Sequence, residues 1–168
     1  AMLRRARHDG LPITCDVGAH HVHLSDMDLG YFDAQCRLEP PLRSQRDRDA
    51  LCAGLADGTI DCIVSNHTPV DEDRKHLPFA EAEPGATGLE LLLPLALKWG
   101  MQAKLNLAQT LARVTSAPAR ILGVDAGRIA PGAPADLVLF DPQALFHVSA
   151  QALKSQGKNT PFLGFELA

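Results

Sequence analysis

The chain has 168 residues, 46% of them hydrophobic and 21% charged, a balance that suits one ordinary globular domain. Its formal net charge of −4 removes the electrostatic case for nucleic acid, and the basic cluster Arg4, Arg5, Arg7 and His8 reads as a solvated helix face near a chain end. The apolar run 89–97 is broken by Glu90 and Pro94, short of the ~18 residues of a membrane span, and the N-terminal residues lack the apolar core of a signal peptide, so the expectation is no membrane and a cytoplasmic location.

Residues 2–9 predict a helix stopped by Gly10. "ITCDV", residues 13–17, predicts a strand with "GAHHVHL" at its C-terminal end. His20, His21 and His23 look like a metal cluster, but adjacent residues at a strand end point opposite ways, so a structural role is expected. Residues 25–44, with Pro40 and Pro41, predict loop. Ser44 is a good N-cap for a helix over "QRDRDALCAGLADG", closed by Gly58. "TIDCIVS", residues 59–65, predicts a second strand. Two strands separated by a helix form a βα unit of a parallel sheet. Cys15, Cys36, Cys52 and Cys62 form no C-x-x-C pair and are expected as free thiols.

Residues 71–86 predict a polar loop in which Asp71, Glu72 and Asp73 are solvated. Gly85, Ala86, Thr87 and Gly88 stand ahead of an apolar helix over 87–99, capped by Thr87, ended by Gly100 and kinked or restarted at Pro94. That loop would offer helix N–H groups to an anion. Two more helices follow, broken at Pro118, with Asn106 and Ser116 as caps. "GRIAPGAPADLVLFDP" predicts two short strands, Arg128–Ala130 and Ala135–Phe140, around a Pro-Gly turn. The tail 154–168 has no evident partner.

The stretch "IVSNHTPVDEDRK", residues 63–75, starts as a buried strand and ends as a polar loop. α/β barrels deliver active-site groups in this way. A carboxylate would be expected where Asn66 stands if the loop were to bind a metal or move a proton.

Six segments, "ITCDVGAHHVHL", "FDAQCRLEPPLR", "DGTIDCIVSNHTPVDEDRK", "FAEAEPGATGLELLLPLAL", "RVTSAPARILGVDAGRIAPGAPADLVLFDP" and "KNTPFLGFEL", resemble the C-terminal part of a dihydroorotase of the amidohydrolase superfamily, in family order. The resemblance implies an α/β fold: the C-terminal portion of a (β/α)8 barrel, with "ITCDV" as strand 7 and "DCIVS" as strand 8, plus part of a small β-sandwich. Residues 1–126 would belong to the barrel and 127–147 to the sandwich, and 148–168 would return to the barrel. The family hydrolyses the cyclic amide of dihydroorotate, or closes it in reverse, in pyrimidine synthesis. Its zinc ligands lie mostly on strands 1–6, which these residues do not include.

The remaining positions depart from the family pattern. The family loop after strand 8 reads Thr-Asp-His-Ala-Pro-His, with a Lys further on, and its Asp binds metal and acts as general base. Here the loop reads Ser65-Asn66-His67-Thr68-Pro69-Val70, with Lys75 retained. Asn66 is a neutral amide, a poor base and a poor zinc ligand. Val70 replaces the last His and can neither donate nor accept. Glu39 stands where the family has a substrate-binding Asn, and its carboxylate would repel the anionic substrates. By resemblance, Glu39, Arg43, His67, Gly85 and Gly88 line the substrate pocket. Asn66 and Val70 would be vestigial catalytic positions, no metal ligand would remain, and no cofactor would be held.

The leading expectation is thus a catalytically silent dihydroorotase-like protein that works as an assembly subunit, as a homo-oligomer or with aspartate transcarbamoylase. The missing barrel strands would come from the same gene product or another chain. One rival is a fragment of an active zinc dihydroorotase, and another is a non-catalytic module that still binds a pyrimidine precursor. Strands 13–17 and 60–65 are too few to close a barrel and leave unpaired edges. Light scattering should therefore report a mass above 18.0 kDa, and a cooperatively melting monomer would contradict this.

Overall fold

The computed structural model describes residues 2–168. Helix α1 (Met2–His8) ends in a turn at Gly10, whose φ of 80° suits glycine. Its basic residues are not simply solvated as expected. Arg4 binds the Asp57 carboxylate at 2.5 Å, and Arg7 pairs with Asp61 and donates to the Gly58 carbonyl at 2.6 Å. These contacts anchor α1 to the corner between the next helix and strand.

Strand β1 (Asp16–Gly18) and strand β2 (Cys62–Val64) are parallel, with Val17 opposite Ile63. Both ladders are shorter than the expected strands. Ile13–Cys15 lie outside the ladder, although the Cys15 carbonyl accepts from Asp61 N at 2.9 Å. The crossover helix α3 (Gln45–Ala56) starts where Ser44 accepts from Asp47 N. On the far edge of β2, Ile63 N donates to the Arg113 carbonyl at 3.0 Å, which partly covers that edge. All four cysteines are free thiols, and burial pushes Cys36 up to about 11.

The residues after β1 correct the expectation of a strand end. Ala19–His23 form a short helix, α2. The rings turn onto three separate carbonyls: His20 Nε2 toward Thr87 O (3.3 Å), His21 Nε2 onto Pro40 O (2.7 Å) and His23 Nε2 onto Leu95 O (2.8 Å). Since a carbonyl only accepts, each Nε2 carries the proton. His20 is fully buried and stacks on Phe162 at 5.6 Å between centroids. The structural role expected for these histidines stands, with a different geometry.

After β2 comes the one-turn helix α4 (Glu72–Lys75). Helix α5 is Leu92–Gln102, so it starts five residues after Thr87, which is not its cap. Pro94 lies in its first turn, where a missing N–H breaks no intrahelical bond. Gly100 lies inside the helix against Thr110, where a Cβ would sit 2.6 Å from Thr110 Cγ2. Residues 91–100 are all buried or half-buried. Helix α6 (Leu107–Ala112) has the Asn106 cap, closed reciprocally by Gln109. Helix α7 (Ser116–Leu122) is capped at Thr115 rather than Ser116; Pro118 again sits in the first turn and does not break the chain.

The two strands expected over 128–140 do not form a ladder. Strand β3 (Phe146–His147) pairs antiparallel with strand β4 (Glu166–Leu167). The expected strand residues pair with no strand among the described residues, and Ile129 is 90% and Leu139 101% exposed. A strand needs a partner for its backbone groups, and none of the described residues supplies one there.

The tail finds a partner after all. Phe162 and Thr160 are fully buried, and Phe162 packs against His20, His23 and Phe165. Asn159, 4% exposed, donates through Nδ2 to Thr68 O (3.1 Å) and Gly85 O (3.2 Å) and accepts at Oδ1 from Val70 N (3.0 Å). Its backbone carbonyl accepts from Thr87 N at 2.7 Å.

Replacing Asn159 by Asp removes both donor bonds and sets a charge beside two carbonyl oxygens. The cost should be about 2–4 kcal/mol, read as a lower urea midpoint at constant slope. A second prediction concerns pH. Burial pushes His20 and His23 down to about 4, each against the raising effect of its carbonyl partner. Unfolded, both take up a proton near pH 6.5; folded, they resist until about pH 4. Their contribution is therefore complete above pH 6.5 and falls as pH drops toward 4, by about 1.4 kcal/mol per pH unit for each ring. Urea titrations between pH 7 and 4 measure that slope, and His20→Gln should flatten it.

Candidate functional site

The loop 65–70 leaves β2 and turns at Asn66, whose φ of 46° lies in the left-handed region that Asn tolerates better than most residues. Gly18, at the end of β1, packs against it: a Cβ there would lie 3.3 Å from Asn66 Cβ and 3.1 Å from His21 Nδ1. The ends of both parallel strands, the crossover-side histidine and Asn66 thus converge. Asn66 Nδ2 donates to the Glu39 carbonyl at 3.4 Å. The Glu39 residue is exposed, and the contact uses its backbone.

His67 is half-buried, and its Nδ1 accepts from Gly88 N (3.2 Å) and Leu89 N (3.3 Å). Nδ1 is therefore unprotonated, and Nε2 carries the hydrogen. An isolated parallel bridge, His67 to Ala86, and the bond from Thr68 N to Ala86 O (2.8 Å) lock the two loops together. Gly85 and Gly88 serve this contact. A Cβ on Gly85 would meet Thr68 Cγ2 at 2.6 Å, and one on Gly88 would collide with the Ser65 carbonyl. Their N–H groups are already used, Gly85 on Arg37 O and Gly88 on His67. The weak sequence signal for an anion at this loop finds no support here: the N–H groups of Gly85, Thr87 and Gly88 are used within the chain, and α5 begins only at Leu92.

Val70 is buried, and its N–H is held by Asn159. Lys75, 4% exposed, donates to Ala34 O (3.0 Å) and Arg37 O (3.2 Å). Burial and the Arg37 guanidinium push it down to about 8. Asp71, Glu72 and Asp73 are exposed, as expected of a solvated run. Arg43 is exposed too; its carbonyl accepts from Asp26 N, and its guanidinium makes no hydrogen bond to the other candidates. The structure therefore brings together Asn66, His67, Gly85, Gly88 and the backbone of Glu39, and leaves Arg43 apart.

These residues do not fit a zinc ion. Asn66 offers an amide whose N–H is turned onto a carbonyl, and His67 Nδ1 is occupied by two N–H donors. Among the described residues no group of three His, Cys, Asp or Glu is placed to hold a metal. Asn159 and Glu90 were missed by sequence reasoning. The Glu90 carboxylate accepts from Lys154 N (2.7 Å) and Ser155 N (2.9 Å), which binds the tail to the start of the α5 region. No local pattern marks either residue, since their partners lie more than 60 residues away.

Residues 5–163 match the amidohydrolase family. The chain is 42% identical over 163 residues to a dihydroorotase-like protein of Pseudomonas aeruginosa, and 40% identical over 166 residues to a dihydroorotase of Geobacter sp. (strain M21). These matches cover 97% and 99% of the chain, but only 38% and 39% of the relatives. Among solved structures it is similar to the L-hydantoinase (dihydropyrimidinase) of Arthrobacter aurescens, with a TM-score of 0.90 at 26% identity over 99% of the chain and 38% of that protein. It is also similar to the D-hydantoinase (dihydropyrimidinase) of Thermus sp., with a TM-score of 0.88 at 27% identity over 98% of the chain and 38% of that protein. No helix among the described residues is long and apolar enough to cross a membrane. The chain belongs to the amidohydrolase family.

Proposed function

We propose that the chain is the C-terminal part of a dihydroorotase-like protein whose site has lost its catalytic groups and which acts as an assembly subunit with aspartate transcarbamoylase in the cytoplasm. In this reading β1 and β2 are the last two strands of a (β/α)8 barrel. The observation that carries it is Asn66. It stands on the loop after β2, at the convergence of both strand ends, where hydrolysis of a cyclic amide needs a base to activate water. An amide cannot take that proton, and losing a general base typically costs about 10²–10⁴ in rate. Val70 supports the same reading: its buried isopropyl group leaves no proton donor or acceptor at that side of the loop. The loop geometry is nonetheless intact, held by Asn159, Gly85 and Gly88. A site kept in shape without its acid–base groups suits a structural role.

The test is an assay of dihydroorotate hydrolysis and ring closure with zinc supplied, alongside metal analysis of the purified chain. No turnover and no stoichiometric zinc are expected. Asn66→Asp with Val70→His should create no activity, because the rest of the ligand set is missing from these residues. Mixing with aspartate transcarbamoylase should give one co-eluting species in size-exclusion chromatography. Turnover with bound zinc would overturn the silent-site reading, and separate elution would overturn the assembly role.

A further inference from the structure

A groove of about 500 Å³ lies between α3 and α5, with α2 beneath it. Val22, Ala53, Trp99 and Phe165 give it apolar walls, and Arg48 and Lys98 give it positive charge. Arg48 is paired with Asp49 at 2.9 Å. Lys98 has no carboxylate partner among the described residues, and its ammonium lies 5.2 Å from the Phe165 ring centroid. His23 and Cys52 also face the groove, and His23 feels both cations. Trp99 is 1% exposed, and its indole N–H has no acceptor among the described residues. The Asp49 carboxylate lines the groove as well, against Arg48, so the net positive charge there comes from Lys98.

We propose that this groove binds a small aromatic carboxylate, with the ring against Phe165 and the alanine wall and the carboxylate toward Lys98 and Arg48. The volume is that of a small-molecule site, and its pattern of apolar walls with a few polar groups is the usual one. The chain as a whole carries −4, so a preference for an anion has to be local to Lys98. The groove shares no residue with the loop around Asn66, so the inference stands apart from the assembly role.

Trp99 is the only tryptophan, which makes its emission a direct report on the groove. The 168-residue chain is titrated with 4-nitrobenzoate, and with 4-nitrobenzyl alcohol as the neutral counterpart. Saturable quenching by the carboxylate is expected, with the alcohol about tenfold weaker. Lys98→Gln should weaken the carboxylate about tenfold and Lys98→Arg should keep it. Ala53→Leu, at an exposed wall position, should abolish saturation and leave the thermal melt unchanged. Equal binding of acid and alcohol, linear quenching by both, or saturation unaltered in Lys98→Gln and Ala53→Leu would overturn the inference.

Discussion

One amide side chain ties the molecule together. Asn159 reaches from the tail to the loop after β2 and to the loop before α5, two segments that share no secondary structure except a single bridge. Asn is one of the few residues that can do this. Its Nδ2 supplies two hydrogens and its Oδ1 accepts one, which matches two outward carbonyls and one inward N–H. An Asp would lose the donors and a Leu would lose everything. The position is nearly dry, so each unmade bond would cost more than at the surface.

The arrangement of the site follows from that clamp. With Thr68, Val70 and Gly85 fixed to the Asn159 side chain and Thr87 to its backbone carbonyl, Gly85 and Gly88 are pressed against Thr68 and the Ser65 carbonyl. His67 Nδ1 then falls in front of two backbone donors. Its proton position is dictated by the loop rather than by a metal or a neighbouring carboxylate. Asn66 is held in a left-handed turn at the mouth of both strands. The shape of this loop pair is thus held by backbone contacts and by amide and imidazole hydrogen bonds.

Much of the local structure was legible in the sequence. The Ser44 and Asn106 caps follow from patterns within a few residues, and the parallel pair from the strand–helix–strand order. The errors share a cause. Thr87, Ser116 and Gly100 look like helix ends by residue type, yet Thr87 is claimed by the Asn159 carbonyl and Gly100 by the close approach of Thr110. Pro94 and Pro118 looked like breaks but sit in first turns, where they cost nothing. Among the site residues, Asn66, His67 and the two glycines were found through resemblance and do meet in space. Arg43 does not join them, and Asn159 was invisible because its bonds span 74 to 91 residues.

The stretch 128–140 shows what local pattern cannot supply. Leu137, Val138 and Leu139 are 66%, 79% and 101% exposed, and residues 135–140 make no backbone–backbone hydrogen bond among the described residues. The sequence has every mark of a strand, but a strand is a relation between two segments. The chain spans only 38–39% of the relatives described above. Exposed N–H and C=O groups on an apolar segment are the kind that an edge strand pairs. The short β3–β4 pair shows what the tail does reach: it covers Phe146, while residues 135–139 stay exposed. Burial in this molecule is thus uneven for a definite reason. It is tightest where the tail reaches through Asn159 and Phe162, and it is least along residues 135–139, which the tail does not cover.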